Sequence, residues 1–182
     1  KKISVKNRDI IYHSNIYGDY NYSNICAAIT IGLHFGIESN KIQDVLNSYE
    51  LQNNRSQVID INGKEIILDA YNANPTSVSN AIESFCNVEN SKAIILGDMF
   101  ELGDNSLDEH KKIVKLLSGK NIDSCYFVGE EFYKVKSMNN SFNFYKTKQE
   151  FYESIDEISE SFVLIKGSRG MKMEEIIENK IK

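Results

Sequence analysis

Apolar residues along this chain fall into two alternating patterns. Short unbroken runs, Ile66-Ile67-Leu68, Ala93-Ile94-Ile95-Leu96, Cys125 to Val128 and Phe162-Val163-Leu164-Ile165, read as strands buried on both faces. Between them apolar positions recur at helical spacing: Val78, Ala81, Ile82 and Phe85, then Ile113, Leu116 and Leu117, and finally Met173, Ile176, Ile177 and Ile181. Strands alternating with amphipathic helices predict an α/β fold, a mostly parallel sheet with helices on both faces. Phe142 to Tyr145 is a further strand, and Glu131 to Val135 starts a short helix. Ser106 with Glu109, and Thr147 with Glu150, have capping-box spacing for helices bearing Ile113 and running through Ile158 respectively. The last helix is expected from Met171 to about Ile181.

The first fifty residues follow a different plan. Ile3, Val5 and Ile10 to Tyr12 suggest extended structure with a turn near Asn7-Arg8-Asp9. Ile25 to Leu33 is apolar on almost every side and predicts a buried helix that stops at Gly36. A second helix is expected from Ser39 to Tyr49, with Ile42, Val45, Leu46 and Tyr49 on one face. Glu50 to Ser56 is polar and aperiodic, and reads as a hinge between a truncated first unit and a complete second one. The second unit opens with a hairpin, Val58 to Ile61 and Glu65 to Leu68, turned at Asn62-Gly63.

The unusual chemistry lies where strands end. After Leu68 come Asp69-Ala-Tyr-Asn-Ala-Asn74 and the chain's single proline, Pro75, which suits the first helical position and leaves Asn74 as N-cap. After Leu96 comes Gly97-Asp-Met-Phe-Glu-Leu-Gly103, and after Ile165 comes Lys166-Gly-Ser-Arg-Gly170. Parallel strands would bring all three exits to one edge, where ligands bind in open sheets. Lys166 and Arg169 beside a helix N-terminus oppose the macrodipole, which favours a carboxylate or phosphate receptor over a solvated basic turn with glycines for geometry. The 97–103 loop has two carboxylates without His or Cys, a weak metal set, and is read as shaping a pocket. His110 is expected on the surface of its helix, and His13 and His34 have no evident partner.

Composition narrows the partners. A formal charge of −5 across 182 residues gives no general pull toward nucleic acid or anionic membrane, and no apolar run approaches a membrane span. Cys26, Cys86 and Cys125 are widely spaced and are read as buried free thiols. The phosphate-loop, dinucleotide and nucleophile-elbow motifs are missing. The chain does not begin with Met and is taken as a piece of a longer protein.

Three stretches, Asp69-Ala-Tyr-Asn-Ala-Asn-Pro75, Leu96-Gly-Asp-Met-Phe-Glu-Leu-Gly103 with His110, and Lys166-Gly-Ser-Arg-Gly-Met-Lys-Met-Glu174, together resemble the Mur ligases. The third points to the branch that adds D-alanyl-D-alanine to a UDP-N-acetylmuramoyl-tripeptide. The resemblance implies that residues 1–50 end a central ATP-binding domain and 51–182 form a C-terminal Rossmann-like domain. It implies a cytoplasmic bacterial enzyme, a monomer, using ATP and Mg2+ to make an acyl phosphate that the dipeptide amine attacks. Asn21 and Asn24 would lie near adenine, Arg55 would reach the ATP phosphates, Asp69 would hold the ribose, and Asn74 would belong to the same ATP site. Asp98, Lys166, Ser168 and Arg169 would hold D-alanyl-D-alanine. Tyr20 stands where many members carry His, so no role of that His carries over. The phosphate loop, the Mg2+ ligands and a modified lysine would lie upstream of residue 1, leaving this chain inactive alone. A sister ligase adding one amino acid, or a non-catalytic binding module of the same fold, are the other readings.

Overall fold

The computed structural model describes residues 3–88 and 91–181, and the chain forms two compact units, Lys1–Gln52 and Asn53–Lys182. In the first unit, β1 (Ile3–Asn7) pairs antiparallel with β2 (Ile10–Ser14) across a turn in which Arg8 has φ 53°. Two helices follow, α1 (Tyr22–His34) and α2 (Ser39–Ser48). Ile3, Val5, Tyr12, Ile25, Ile29, Ile42 and Leu46 make its core.

Helix α1 is not enclosed all round. Ile25, Ile29 and Gly32 are buried, while Ile31 and Phe35 are 57% and 77% exposed. The apolar pattern had predicted burial on nearly every side, but this small unit supplies packing partners for one stripe only. On α2, likewise, Ile42 and Leu46 are buried and Val45 and Tyr49 are exposed.

The second unit opens with β3 (Gln57–Ile61) and β4 (Lys64–Asp69), an antiparallel hairpin whose Asn62 and Gly63 both have positive φ, as a two-residue turn between twisted strands requires. Then come α3 (Pro75–Cys86), β5 (Lys92–Gly97), α4 (Ser106–Leu117), β6 (Ser124–Val128), α5 (Glu130–Lys134), β7 (Asn143–Tyr145), α6 (Lys148–Ser154), β8 (Phe162–Lys166) and α7 (Glu175–Lys180). The sheet order is β3-β4-β8-β5-β6-β7, parallel except for the β3–β4 pair. This is the expected α/β architecture.

Alternation along the strands serves two cores. Ile66, Leu68, Ile95, Val128, Val163 and Ile165 pack with Phe151 of α6 and with Met173 and Ile176. Residues of opposite parity face the other way, where Phe85 of α3 stacks on Phe162 (4.5 Å between centroids) and Phe132 of α5 lies against Phe127 (4.7 Å). Buried Lys92 reaches back to the carbonyls of Cys86 and Val88 at the end of α3, supplying the positive charge that a helix C-terminus favours.

Local signals were realised unevenly. Asn74 caps α3, accepting the Ser77 N–H at 2.8 Å while Ser77 Oγ accepts the Asn74 N–H at 3.1 Å. At α4 the proposed capping box does not form. A 3-10 turn, Gly103–Asn105, precedes the helix, Ser106 is already helical, and its hydroxyl donates to Glu131 instead. Thr147 does cap α6, but Glu150 accepts the N–H of Lys146 rather than that of the cap, and α6 ends at Ser154, short of Ile158. The last helix starts at Glu175; Arg169–Met171 is a 3-10 turn and Lys172 is left-handed (φ 48°), which interrupts any continuous helix from Met171.

All three cysteines are free, Cys125 buried and Cys26 and Cys86 half-buried. Burial pushes the Cys125 thiol up to about 12. Near pH 8 that leaves on the order of a thousandfold less thiolate than in free cysteine. Iodoacetamide is therefore expected to leave Cys125 unmodified in the folded chain and to alkylate it in denaturant, read by mass spectrometry; equal labelling in both states would contradict its enclosure.

Candidate functional site

Three adjacent parallel strands, β4, β8 and β5, end together, so the three polar exits do share one edge. Lys166 is in register with Asp69 on one side and Leu96 on the other. Close approach of the exits depends on glycine. A Cβ on Gly167 would lie 3.1 Å from the Gly97 Cα and 2.7 Å from Met173, and one on Gly170 would lie 2.8 Å from the Phe100 ring. The loops are also stitched together: Ser168 Oγ accepts the Phe100 N–H (2.8 Å), and the Ser168 N–H donates to the Asp98 carbonyl (3.2 Å).

The four residues expected around the dipeptide fare differently. Asp98 is buried, and its two carboxylate oxygens accept the N–H groups of Glu131 and Phe132, each at 3.0 Å. It thereby caps α5 from a neighbouring strand end, where Gly129 has no side chain to offer. A Cβ on Gly129 would lie 2.3 Å from the Asp98 carboxyl carbon, so glycine is needed there for the reach as well as for φ 134°. Burial raises the Asp98 carboxyl, against the pull of those two N–H donors. Ser168 is buried and committed to Phe100.

Lys166 is also withdrawn from solvent. Its side chain is 2% exposed, and its ammonium donates to Asp69 Oδ2 at 2.5 Å and to the Asn72 carbonyl at 3.0 Å. Arg169 is the exposed one, 59% accessible and paired with Glu174 at 2.6 Å. The expected helix N-terminus beside this loop is replaced by the 3-10 turn, so any receptor here works through side chains and turn N–H groups.

On the β4 side, Asp69 Oδ1 accepts the Ser56 N–H (3.1 Å), and the Tyr71 N–H donates to the Asn54 carbonyl (3.1 Å). The Arg55 guanidinium lies 3.6 Å from the centre of the Tyr71 ring, a cation–π contact between two exposed side chains. The segment 53–56 is thus folded onto the β4 exit. Asn74 is exposed but committed to its cap. In the first unit, Asn21 donates to the Tyr17 carbonyl and accepts from exposed Asn24.

His110 was expected on the surface and is fully buried. Its Nδ1 is 2.7 Å from the Ser106 carbonyl, and its Nε2 accepts the Met99 N–H at 3.1 Å, the pattern of an imidazole protonated at Nδ1. It anchors the 97–103 loop from beneath. The signal was present: His110 shares helical spacing with Ile113, Val114 and Leu117, all buried. Beside it a cleft of about 570 Å3 opens along the β5 and β6 exits, lined by Phe100, Glu101, Glu130, Glu131 and Lys146. Among the described residues no group of three or more His, Cys, Asp or Glu could hold a metal ion. No helix among them is long and apolar enough to cross a membrane.

A mostly parallel sheet carrying converging polar loops at its carboxyl edge defines an α/β domain of the doubly wound kind. The chain belongs to the Mur ligase family: residues 54–171 match the family described as Mur ligase, glutamate ligase domain. It is 32% identical over 190 aligned residues to the UDP-N-acetylmuramoyl-tripeptide–D-alanyl-D-alanine ligase of Bacillus subtilis, covering 98% of this chain and 41% of that protein. The chain thus spans about two fifths of that relative's length. Its fold matches MurF from Acinetobacter baumannii (TM-score 0.84, 24% identity, 97% of this chain and 41% of that one). It also matches MurF ligase from Thermotoga maritima, solved in complex with ADP (TM-score 0.80, 19% identity, 97% and 42%).

The Asp98 cap carries a stability prediction. Asp98→Ala strands two α5 N–H groups and is expected to cost about 1–3 kcal/mol, seen as a lower urea midpoint with unchanged slope. A loss under about 0.5 kcal/mol, the size of an ordinary surface change, would mean the cap is dispensable.

Proposed function

We propose that this chain is the nucleotide- and acceptor-binding end of an ATP-dependent Mur ligase that joins D-alanyl-D-alanine to UDP-N-acetylmuramoyl-tripeptide in the bacterial cytoplasm. The observation that carries the reading is the shared edge. A carboxylate with spare acceptor capacity (Asp69) and an exposed guanidinium (Arg169) stand on neighbouring strand exits. The alignment of 98% of this chain to about two fifths of a ligase of that name supports it.

In this reading residues 51–182 are the C-terminal domain and 1–50 the end of the central ATP-binding domain. The open apolar stripe of α1, with Ile31 and Phe35, is where the rest of that domain packs. Asn21 and Asn24 serve the adenine, Asp69 the ribose, and Asn74 the loop that frames it. Arg55 leaves its exposed stack on Tyr71 to reach the phosphates when the domains close. An exposed ion pair is worth about 1 kcal/mol or less, so Arg169 gives up Glu174 readily for the dipeptide carboxylate. Asp98 and Ser168 hold the loops that present it.

ATP supplies the phosphoryl group that turns the tripeptide carboxylate into an acyl phosphate; the dipeptide amine attacks that carbonyl, and phosphate departs. Mg2+ lends charge stabilisation when bound. The contribution of this chain is binding and closure over chemistry held elsewhere in the enzyme, which acts as a monomer.

The test is phosphate release by the full-length protein with ATP, Mg2+ and the UDP-linked tripeptide, each acceptor added separately. Release requiring D-alanyl-D-alanine supports the reading; release with a single amino acid assigns a sister ligase, and none with any acceptor leaves a binding module. Arg169→Ala is expected to raise the KM for the dipeptide roughly tenfold or more with little change for ATP. Equal rises in both would point to a folding defect. Residues 1–182 alone should release no phosphate above a buffer control.

A further inference from the structure

Lys166 stands in the loop assigned to the dipeptide, yet its ammonium is turned the other way. We infer that Lys166 is a positioning residue for Asp69, serving the nucleotide half of the site rather than the acceptor half. The inference rests on the reading of Asp69 as the ribose acid given above.

The two residues are register partners at the ends of β4 and β8, so the backbone itself sets their meeting. With its side chain 2% exposed, Lys166 spends two of its three donors inside the protein, on Asp69 Oδ2 and on the Asn72 carbonyl. Reaching a bound dipeptide would require it to abandon both, leaving Asp69 without its counter-charge. Arg169, 59% exposed, has only its surface pair with Glu174 to give up. The Asn72 bond matters as much as the ion pair, because it clamps the β4–α3 loop to the same ammonium.

Asp69 for its part is 15% exposed and held at both oxygens, by Lys166 and by the Ser56 N–H. A carboxylate has about four lone-pair sites, and two are taken here. What remains is an acceptor of fixed orientation, as recognition of sugar hydroxyls needs. Lys166 also offsets the Asp69 charge, which would otherwise repel a nucleotide's phosphates. Its place in the Lys-Gly-Ser-Arg-Gly stretch is then a matter of sheet register: β8 lies between β4 and β5, so its last residue faces the nucleotide exit while the following turn faces the acceptor.

The experiment compares full-length wild type with Lys166→Met, Asp69→Asn and the double variant. It reads ADP affinity by calorimetry and, separately, the KM values for ATP and for D-alanyl-D-alanine. Lys166→Met is expected to weaken ADP roughly tenfold and raise the KM for ATP similarly, with the dipeptide KM within about twofold. The double variant is expected to bind ADP no more weakly than Asp69→Asn alone, because the lysine acts through the acid. If Lys166→Met fails to fold, with a buried carboxylate left unpaired, the double variant removes that charge as well and still decides. A raised dipeptide KM with unchanged ADP affinity, or additive losses of ADP affinity in the double variant, would overturn the inference. The ADP measurement stands even if the enzyme used another acceptor, in which case the functional reading fails and this one does not.

Discussion

At the carboxyl ends of β4 and β8 one carboxylate and one ammonium meet in register, and the loops on either side take their shape from that meeting. Asp69 holds Lys166 and the Ser56 N–H; Lys166 holds Asp69 and the Asn72 carbonyl. Three stretches of sequence, 53–56, 69–74 (which begins with the last residue of β4) and the end of β8, are thereby fixed to one another by two side chains. Removing either member of such an enclosed pair leaves the other charge uncompensated, which is costlier than never having had the pair. The arrangement therefore constrains the molecule more than its net energy suggests.

A second set of ties joins β8 to β5 and β5 to β6. Gly97 and Gly167 approach so closely that a Cβ on Gly167 would lie 3.1 Å from the Gly97 Cα, Ser168 is bonded to the backbone of the 98–100 turn, and Asp98 caps α5. His110 closes the set from below by accepting the Met99 N–H. Polar residues that look like ligands in the sequence thus divide into two kinds. Asp98, Ser168 and Lys166 are buried and hold the frame; Arg169 and Arg55 are exposed and held only by surface contacts. A rigid frame carrying two loosely held surface cations suits the closure proposed above.

The fold was legible because its signals were local. Four apolar runs, the Asn62-Gly63 turn and the Asn74-Pro75 cap each specify backbone with little help from distant residues, and each appears as expected. Signals that depend on competition were less legible. Ser106 has capping-box spacing, but a 3-10 turn takes the cap position and Glu131 takes the hydroxyl. Met171 opens a helical pattern, but left-handed Lys172 breaks it. In the site, the identity of the loops was readable and the direction of their side chains was not. Whether Lys166 faces a ligand or Asp69 is decided by strand order, and the position of β8 between β4 and β5 follows from the long return after β7, which no local pattern encodes.

In the proposed function one sheet edge is divided into a nucleotide half and an acceptor half. Hydrogen–deuterium exchange on the full-length protein tests it most directly, with ADP and D-alanyl-D-alanine each added alone and then ADP followed by the dipeptide. The account predicts that ADP slows exchange in residues 54–56 and 69–74, and that the dipeptide then slows it in 98–103 and 167–171. Protection of the 69–74 loop by the dipeptide without ADP, or no response of either acceptor-side loop, would contradict it.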